Sequence, residues 1–106
     1  MIKIPKSKAI VHGRKGLKAS YYQLPEVLNG TTLASAVFTG AHGESTIGAR
    51  PRIYFVVAGK GKFVINGEAI PAATGDVVII PPRATYNLWP IGKKVEIFLI
   101  SELLSL

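Results

Sequence analysis

Short apolar runs alternate with turn residues about every eight to twelve positions, a spacing that predicts an all-β sandwich or barrel rather than helices. Residues 2–4 and 9–12 are predicted as short strands, interrupted by Pro5 and by Gly13 and Gly16. An extended piece over 17–24 ends at Pro25, and Glu26, Val27 and Leu28 predict a helical turn ahead of Asn29-Gly30. Residues 31–39 are β-branched and aromatic enough for a strand, which ends in the loop Gly40-Ala41-His42-Gly43. Residues 44–48 read as a weak strand before the turn at Arg50-Pro51.

The second half has the stronger pattern. Residues 53–57 form a strand, and Gly59-Lys60-Gly61 is predicted to reverse the chain so that 62–65 pairs back. Asn66-Gly67 tolerates positive φ at both positions and suits a type I′ hairpin into 68–70. Gly75-Asp76 turns the chain into Val77–Ile80, a continuous apolar run of the kind found in strands buried on both faces. Pro81-Pro82 stops it, and strands over 86–89 and 95–100 complete the set. The closing SELLSL reads as a docked helical turn or an added strand, and the chain shows no internal repeat or linker.

Composition adds a partner. Hydrophobic residues make up 48% of the 106 positions and mean hydropathy is +0.32, more apolar surface than one small barrel hides. A subunit interface is expected, most simply a two-fold homodimer. No apolar run approaches the ~20 residues of a membrane span. The opening MIKIPKSKAIVHG has early lysines but neither an apolar core nor a small-residue cleavage site, so it does not read as a signal peptide. The absence of cysteine excludes disulfides and thiolate chemistry and makes a reducing cytoplasm the expected location.

The formal charge is +7, and the basic residues Lys3, Lys6, Lys8, Arg14, Lys15 and Lys18 occur with no acid among them. A polyanion-binding patch and a solvated arm are the two readings of that segment. No aromatic residue offers a stacking platform there, which favours the solvated arm, and nucleic acid is not an expected partner.

The stretch from Arg52 to Tyr86 resembles the paired motifs of the cupin family. Gly59 closes the first motif after the strand RIYFVVAG, Gly75, Asp76 and Pro81 match the second, and Asn66-Gly67 matches the turn between them. The resemblance spans Gly40 to Leu99 and implies an all-β, antiparallel jelly-roll (cupin) β-barrel with an interior pocket. It implies a single domain over 1–106, with 1–30 as N-terminal strands and arm and 31–100 as the conserved barrel.

The family's four metal ligands, two histidines, a glutamate and a further histidine, fall on other residues. Arg52 stands at the glutamate and Tyr86 at the last histidine, while Thr46 and Gly48, or Ser45 and Ile47, stand at the first two. A guanidinium repels a cation, so no metal and no other cofactor is expected. His42 and Glu44, two residues apart, share one face if a strand reaches them, but a third ligand is missing.

Alternation along a strand puts Arg52, Tyr54 and Val56 on one side, and Tyr86 with Leu88 on the opposite wall. With Thr46, these residues are the candidate ligand contacts. An apolar lining with one fixed positive charge and two phenols suits a small ligand with a carboxylate or phosphate, sugar-like in size. A bland alternative has Glu44 or a backbone carbonyl pairing with Arg52, because a buried guanidinium needs a partner.

Whether the chain is an enzyme stays open at this point. Some cupin-like sugar-nucleotide epimerases and isomerases work without metal through a histidine base and a tyrosine acid. That resemblance makes Tyr86, His42 and Glu44 the catalytic candidates. A third reading is an interaction module whose barrel is packed shut.

Overall fold

A computed structural model describes residues 2–102 and 104 and is antiparallel β structure almost throughout. Eight strands follow one another: β1 (Ile10–Arg14), β2 (Leu17–Tyr21), β3 (Thr31–Phe38), β4 (Ser45–Thr46), β5 (Arg52–Ile65), β6 (Glu68–Ala73), β7 (Val77–Ile80) and β8 (Thr85–Glu102). Single 3₁₀ turns occupy Lys6–Lys8 and Glu26–Leu28. No helix among the described residues is long and apolar enough to cross a membrane.

The strand order is β1-β2-β3-β8-β5-β6, with β4 added on β8 and β7 on β5. The two long strands each serve two sheets. The first part of β5 carries β7 and its last part carries β6, while β8 holds β4 near its start and β3 near its end. One sheet is therefore β1-β2-β3-β8-β5-β7, the other is β4-β8-β5-β6, and their inner faces enclose a jelly-roll barrel.

The join between the sheets corrects the predicted reversal at Gly59-Lys60-Gly61. The chain does not turn back there: β5 runs on, with register shifts against β8 between Val56 and Ala58 and between Gly59 and Gly61. These are bulges, which bend a strand so that it can pass from one sheet to the other. Gly59 has φ +90, and a Cβ built on it would stand 2.8 Å from the Lys94 carbonyl oxygen. The predicted strands over 86–89 and 95–100 are likewise one strand, β8, which carries Pro90 and Gly92 through the same corner. Residues 2–4 are not a strand, and Leu17–Tyr21 is shorter than the piece predicted over 17–24. Pro71 lies within β6, an outermost strand, where its missing N–H removes little from the ladder.

Alternation fills the interior. Phe38, Tyr54, Val56, Phe63, Ile80 and Leu88 are all at most 2% exposed. Each such side chain contributes about 1.5–3 kcal/mol through burial. Val77–Ile80 departs from the expectation of burial on both faces: Val78 and Ile80 face the core, whereas Val77 and Ile79 are exposed. At the chain's end β8 runs on to Glu102, and Leu104 packs against the core, its N–H donating to Thr32 Oγ1 at 3.0 Å. The rest of the SELLSL prediction, at 103, 105 and 106, lies outside the described residues.

The corner at Gly59 is testable. Gly59→Ala adds both a left-handed φ and a backbone clash, so it is expected to lower unfolding stability by about 2–4 kcal/mol. Urea unfolding followed by circular dichroism measures this; parental stability in the variant would show that the corner tolerates a side chain.

Candidate functional site

One end of the barrel interior is polar. Arg52 and Tyr54 point inward from β5, and Tyr86 points inward from β8. Arg52 Nη1 donates to the Tyr86 hydroxyl at 2.9 Å, and that hydroxyl lies 2.5 Å from the Tyr54 hydroxyl. The Arg52 guanidinium also sits 5.8 Å from the centre of the Tyr86 ring, close enough for a cation–π contribution. Burial pushes the Tyr54 hydroxyl well above the usual tyrosine range; the neighbouring Tyr86 adds to this and Arg52 opposes it. Tyr54 therefore stays protonated at neutral pH.

His42 completes the group from the loop between β3 and β4. Its ring lies 5.2 Å from the Tyr86 ring and 5.9 Å from the Phe38 ring, centre to centre. Hydrogen bonds from several sides hold this loop. The His42 N–H donates to the Leu88 carbonyl at 2.7 Å, and the Gly43 N–H donates to Asn87 Oδ1 at 3.0 Å. The β1–β2 turn supplies the rest. The Gly16 carbonyl accepts from Thr39 and Gly40 N–H groups at 2.9 and 3.1 Å, and the Arg14 side chain donates to the His42 carbonyl. Gly16 allows this approach because any Cβ on it would meet the Gly40 backbone at 3.0 Å.

Burial holds the His42 imidazole below its ordinary pKa of 6.5. The Gly43 carbonyl opposes that shift, while the positive charges of Arg14 and Arg52 reinforce it. His42 Nδ1 lies 2.8 Å from the Gly43 carbonyl oxygen. In the neutral ring Nδ1 is then the donor, and Nε2 keeps its lone pair.

The open space beside these groups is small, a cavity of about 40 Å³ bordered by Leu17, Ala19, Tyr21, Phe38, His42 and Tyr54. Of the residues singled out in the sequence, Arg52, Tyr54, Tyr86 and His42 come together. Val56 and Leu88 point inward as fully buried packing residues; of the four that come together, His42 and Tyr54 border the cavity, whereas Arg52 and Tyr86 do not. Thr46 is exposed on β4, its hydroxyl 2.7 Å from that of Thr85. Glu44 is exposed, and the hydrogen bond of Arg52 goes to a phenol, not to the Glu44 carboxylate or backbone carbonyl that the alternative reading offered as its partner. Arg14 was not singled out for this site, because only the folded hairpin brings it to a loop 28 residues away.

A divalent cation does not fit this donor set. Among the described residues no three His, Cys, Asp or Glu side chains converge. A guanidinium occupies the centre of the polar end, and the phenol beside it is already hydrogen-bonded to that cation.

No protein-family model and no curated protein matches the chain. Solved structures do. A Streptomyces PAC13 variant solved with uridine superposes with a TM-score of 0.83 at 21% identity, covering 96% of this chain and 81% of that one. Pac13 is a nucleoside dehydratase, and its uridine-bound variants include two Tyr→Phe and one His→Gln substitution. KdgF from Halomonas sp. gives a TM-score of 0.80 at 11% identity, covering 96% of this chain and 93% of that one. An RmlC-like cupin from Shewanella frigidimarina gives 0.75 at 13% identity, covering 91% of this chain and 85% of that one. Identities at this level speak for architecture, and together with the strand order they identify the fold as the cupin jelly-roll barrel.

Proposed function

We propose that the polar end of the barrel binds a small hydroxylated metabolite bearing an acidic group, of the nucleotide or acidic-sugar class, and that His42 and Tyr86 act on it as base and acid. The observation that carries this reading is the meeting of a neutral imidazole, a hydrogen-bonded phenol pair and a guanidinium at one end of an apolar barrel. An acidic group is the natural partner for Arg52, whose guanidinium retains donors beyond the one given to Tyr86. Arg14, at the base of the same loop, adds a second positive charge near His42. The cavity of about 40 Å³ holds only part of such a ligand, and the barrel has to open beside His42 and Tyr54 to admit the rest.

The reaction that suits the pair is elimination of water. His42 Nε2 takes a proton from a carbon made acidic by an adjacent carbonyl, and the released electron pair forms a carbon–carbon double bond. The carbon–oxygen bond to the β-hydroxyl breaks, and the hydroxyl leaves as water with the proton of Tyr86. Arg52 then faces the negative charge left on the Tyr86 oxygen, and Tyr54 can donate to it. Proton return from the imidazolium to Tyr86 through solvent restores both groups. Protonation of the same carbon by Tyr86 from the opposite face, with the hydroxyl retained, would instead give epimerisation, and proton return from the His42 imidazolium to Tyr86 through solvent would again restore both groups. Support comes from Pac13, where a histidine and two tyrosines were the residues substituted in structures with uridine.

The small cavity favours a second reading, an interaction module packed shut, since about 40 Å³ holds little more than a water molecule. Calorimetric titration with uridine, uridine 5′-monophosphate and glucuronate separates the two. The acidic ligands are expected to bind more tightly than uridine, and Arg52→Ala to weaken them by about 10- to 100-fold through loss of a charge-assisted contact. Tyr86→Phe should keep binding within a few-fold while removing turnover. No heat from any of the three ligands at millimolar concentration would leave the closed module standing.

The lowered His42 pKa has its own consequence. Because the unfolded chain binds that proton more readily, His42 favours the fold fully above pH 6.5, and this contribution is lost as pH falls through the folded-state value. Unfolding stability should therefore decline on acidification, less steeply in His42→Gln, and the His42 ring resonances should titrate below 6.5 in NMR. Titration of that ring at or above 6.5 would remove the neutral base from the mechanism.

A further inference from the structure

The β1–β2 hairpin carries the inner face of the larger sheet out beyond the barrel. Residues opposite each other in an antiparallel ladder project to the same side. Leu17, Ala19 and Tyr21 of β2 border the cavity, so their partners on β1, Arg14, His12 and Ile10, face the same way. Two contacts agree with this register. The His12 ring meets the Tyr21 ring edge-on with 5.5 Å between centres, and the Arg14 side chain donates to the His42 carbonyl. Tyr21 in turn stands in one cross-strand row with Ala34, Leu99 and Tyr54. β1 is the last strand of its sheet, and all five of its residues are exposed. Its inward side is therefore an open ledge that continues the cavity wall outward, beside Tyr21 at one end and the His42 loop at the other.

We infer that this ledge is a phosphate subsite, in which Arg14 and His12 hold a phosphoryl group on the outer part of a ligand whose inner part reaches His42 and Tyr86. The inference rests on the ligand-binding reading above and narrows it. The ligand is an acidic sugar with its carboxylate at Arg52 and a phosphoryl group as its second anionic group. Opening beside His42 and Tyr54 admits the sugar. A phosphoryl group is costly to take out of water, and the ledge lets it stay at the surface.

The charge on the ledge suits that group. The inward residues of the hairpin, Ile10, His12, Arg14, Leu17, Ala19 and Tyr21, include no carboxylate to offset the guanidinium. Arg14 makes its hydrogen bond to an uncharged carbonyl, a weaker acceptor than a phosphate oxygen, and keeps further N–H donors beyond that bond. His12 and Arg14 alternate along one strand with Cα atoms about 6.8 Å apart, a gap that the arginine side chain is long enough to close. A phosphoryl group presents three acceptor oxygens, enough for a guanidinium fork and an imidazole N–H together. A carboxylate is filled by the fork alone, so it leaves His12 without a role. Arg14 and Arg52 each act on the His42 ring by charge, which places the reacting imidazole within range of both anchors.

Calorimetric titration with glucuronate and with glucuronic acid 1-phosphate tests this. The phosphorylated ligand is expected to bind at least about 10-fold more tightly, the yield of one charge-assisted contact. The readout is the ratio of the two affinities within each variant. Loosening of the His42 loop in Arg14→Ala weakens both ligands alike and leaves that ratio unchanged, whereas loss of a phosphate contact lowers it. Arg14→Ala should bring the ratio close to one, and His12→Ala, which removes no contact to the loop, should lower it several-fold. In NMR the His12 ring resonances should move with glucuronic acid 1-phosphate and stay in place with glucuronate. Glucuronate binding with no gain from the phosphate would overturn the ledge and leave the reading of the barrel end intact. A gain that survives both substitutions would also overturn it, by putting the phosphate elsewhere. Absence of binding by either ligand would remove the ligand-binding reading and the ledge with it.

Discussion

The pairing of β5 with β8 is the contact on which the rest of the molecule depends. Each of these strands belongs to both sheets, so their shared ladder is at once the seam of the barrel and the frame of its interior. A straight pair would give one flat sheet with no enclosed volume. The bulges around Gly59 bend β5 so that its first part faces β7 and its last part faces β6. Arg52 and Tyr54 lie before that bend, and Tyr86 lies at the start of β8. Closing the barrel is what carries Tyr86 to Arg52 across 34 residues of chain.

A positive charge inside an apolar barrel has to be accommodated, and the surrounding groups are arranged for that. Arg52 donates to a phenol rather than to a carboxylate, so its charge is solvated locally but not neutralised. The uncompensated charge acts on its neighbours: it adds to the burial that keeps His42 neutral, and it partly offsets the burial that keeps Tyr54 protonated. A Glu44–Arg52 ion pair would have cancelled this field. With Glu44 exposed, the guanidinium keeps this influence on both rings.

Features set by near neighbours in the sequence were legible. The Glu26–Leu28 turn and the Val77–Ile80 strand appear with the predicted bounds, and Asn66 and Gly67 both take positive φ, at 49 and 82. Gly59-Lys60-Gly61 shows where local reading ends. A glycine with positive φ serves a reversal or a bulge equally well, and pairing with β8, about 35 residues further on, decides which forms. In the site, Arg52, Tyr54 and Tyr86 followed from alternation and the family resemblance. The inward placement of His42 did not, because it depends on Gly16 meeting Gly40, on Arg14 and on Asn87, none of them local to the loop in sequence.

The continuous apolar run at Val77–Ile80 carries information that either reading alone would miss. The sequence pattern asks for burial on both faces, whereas the folded chain buries only Val78 and Ile80. The two agree if the second cover comes from outside the chain, and the outward rows of β3, β5 and β8 extend the same demand across the sheet. Such a cover would also reach β1, whose five residues are all exposed. That strand bears Arg14 and leads into the turn that grips the His42 loop. On the same strands, inward alternation fills the core and builds the polar end of the barrel, and outward alternation leaves apolar side chains such as Val77, Ile79 and Ile100 exposed.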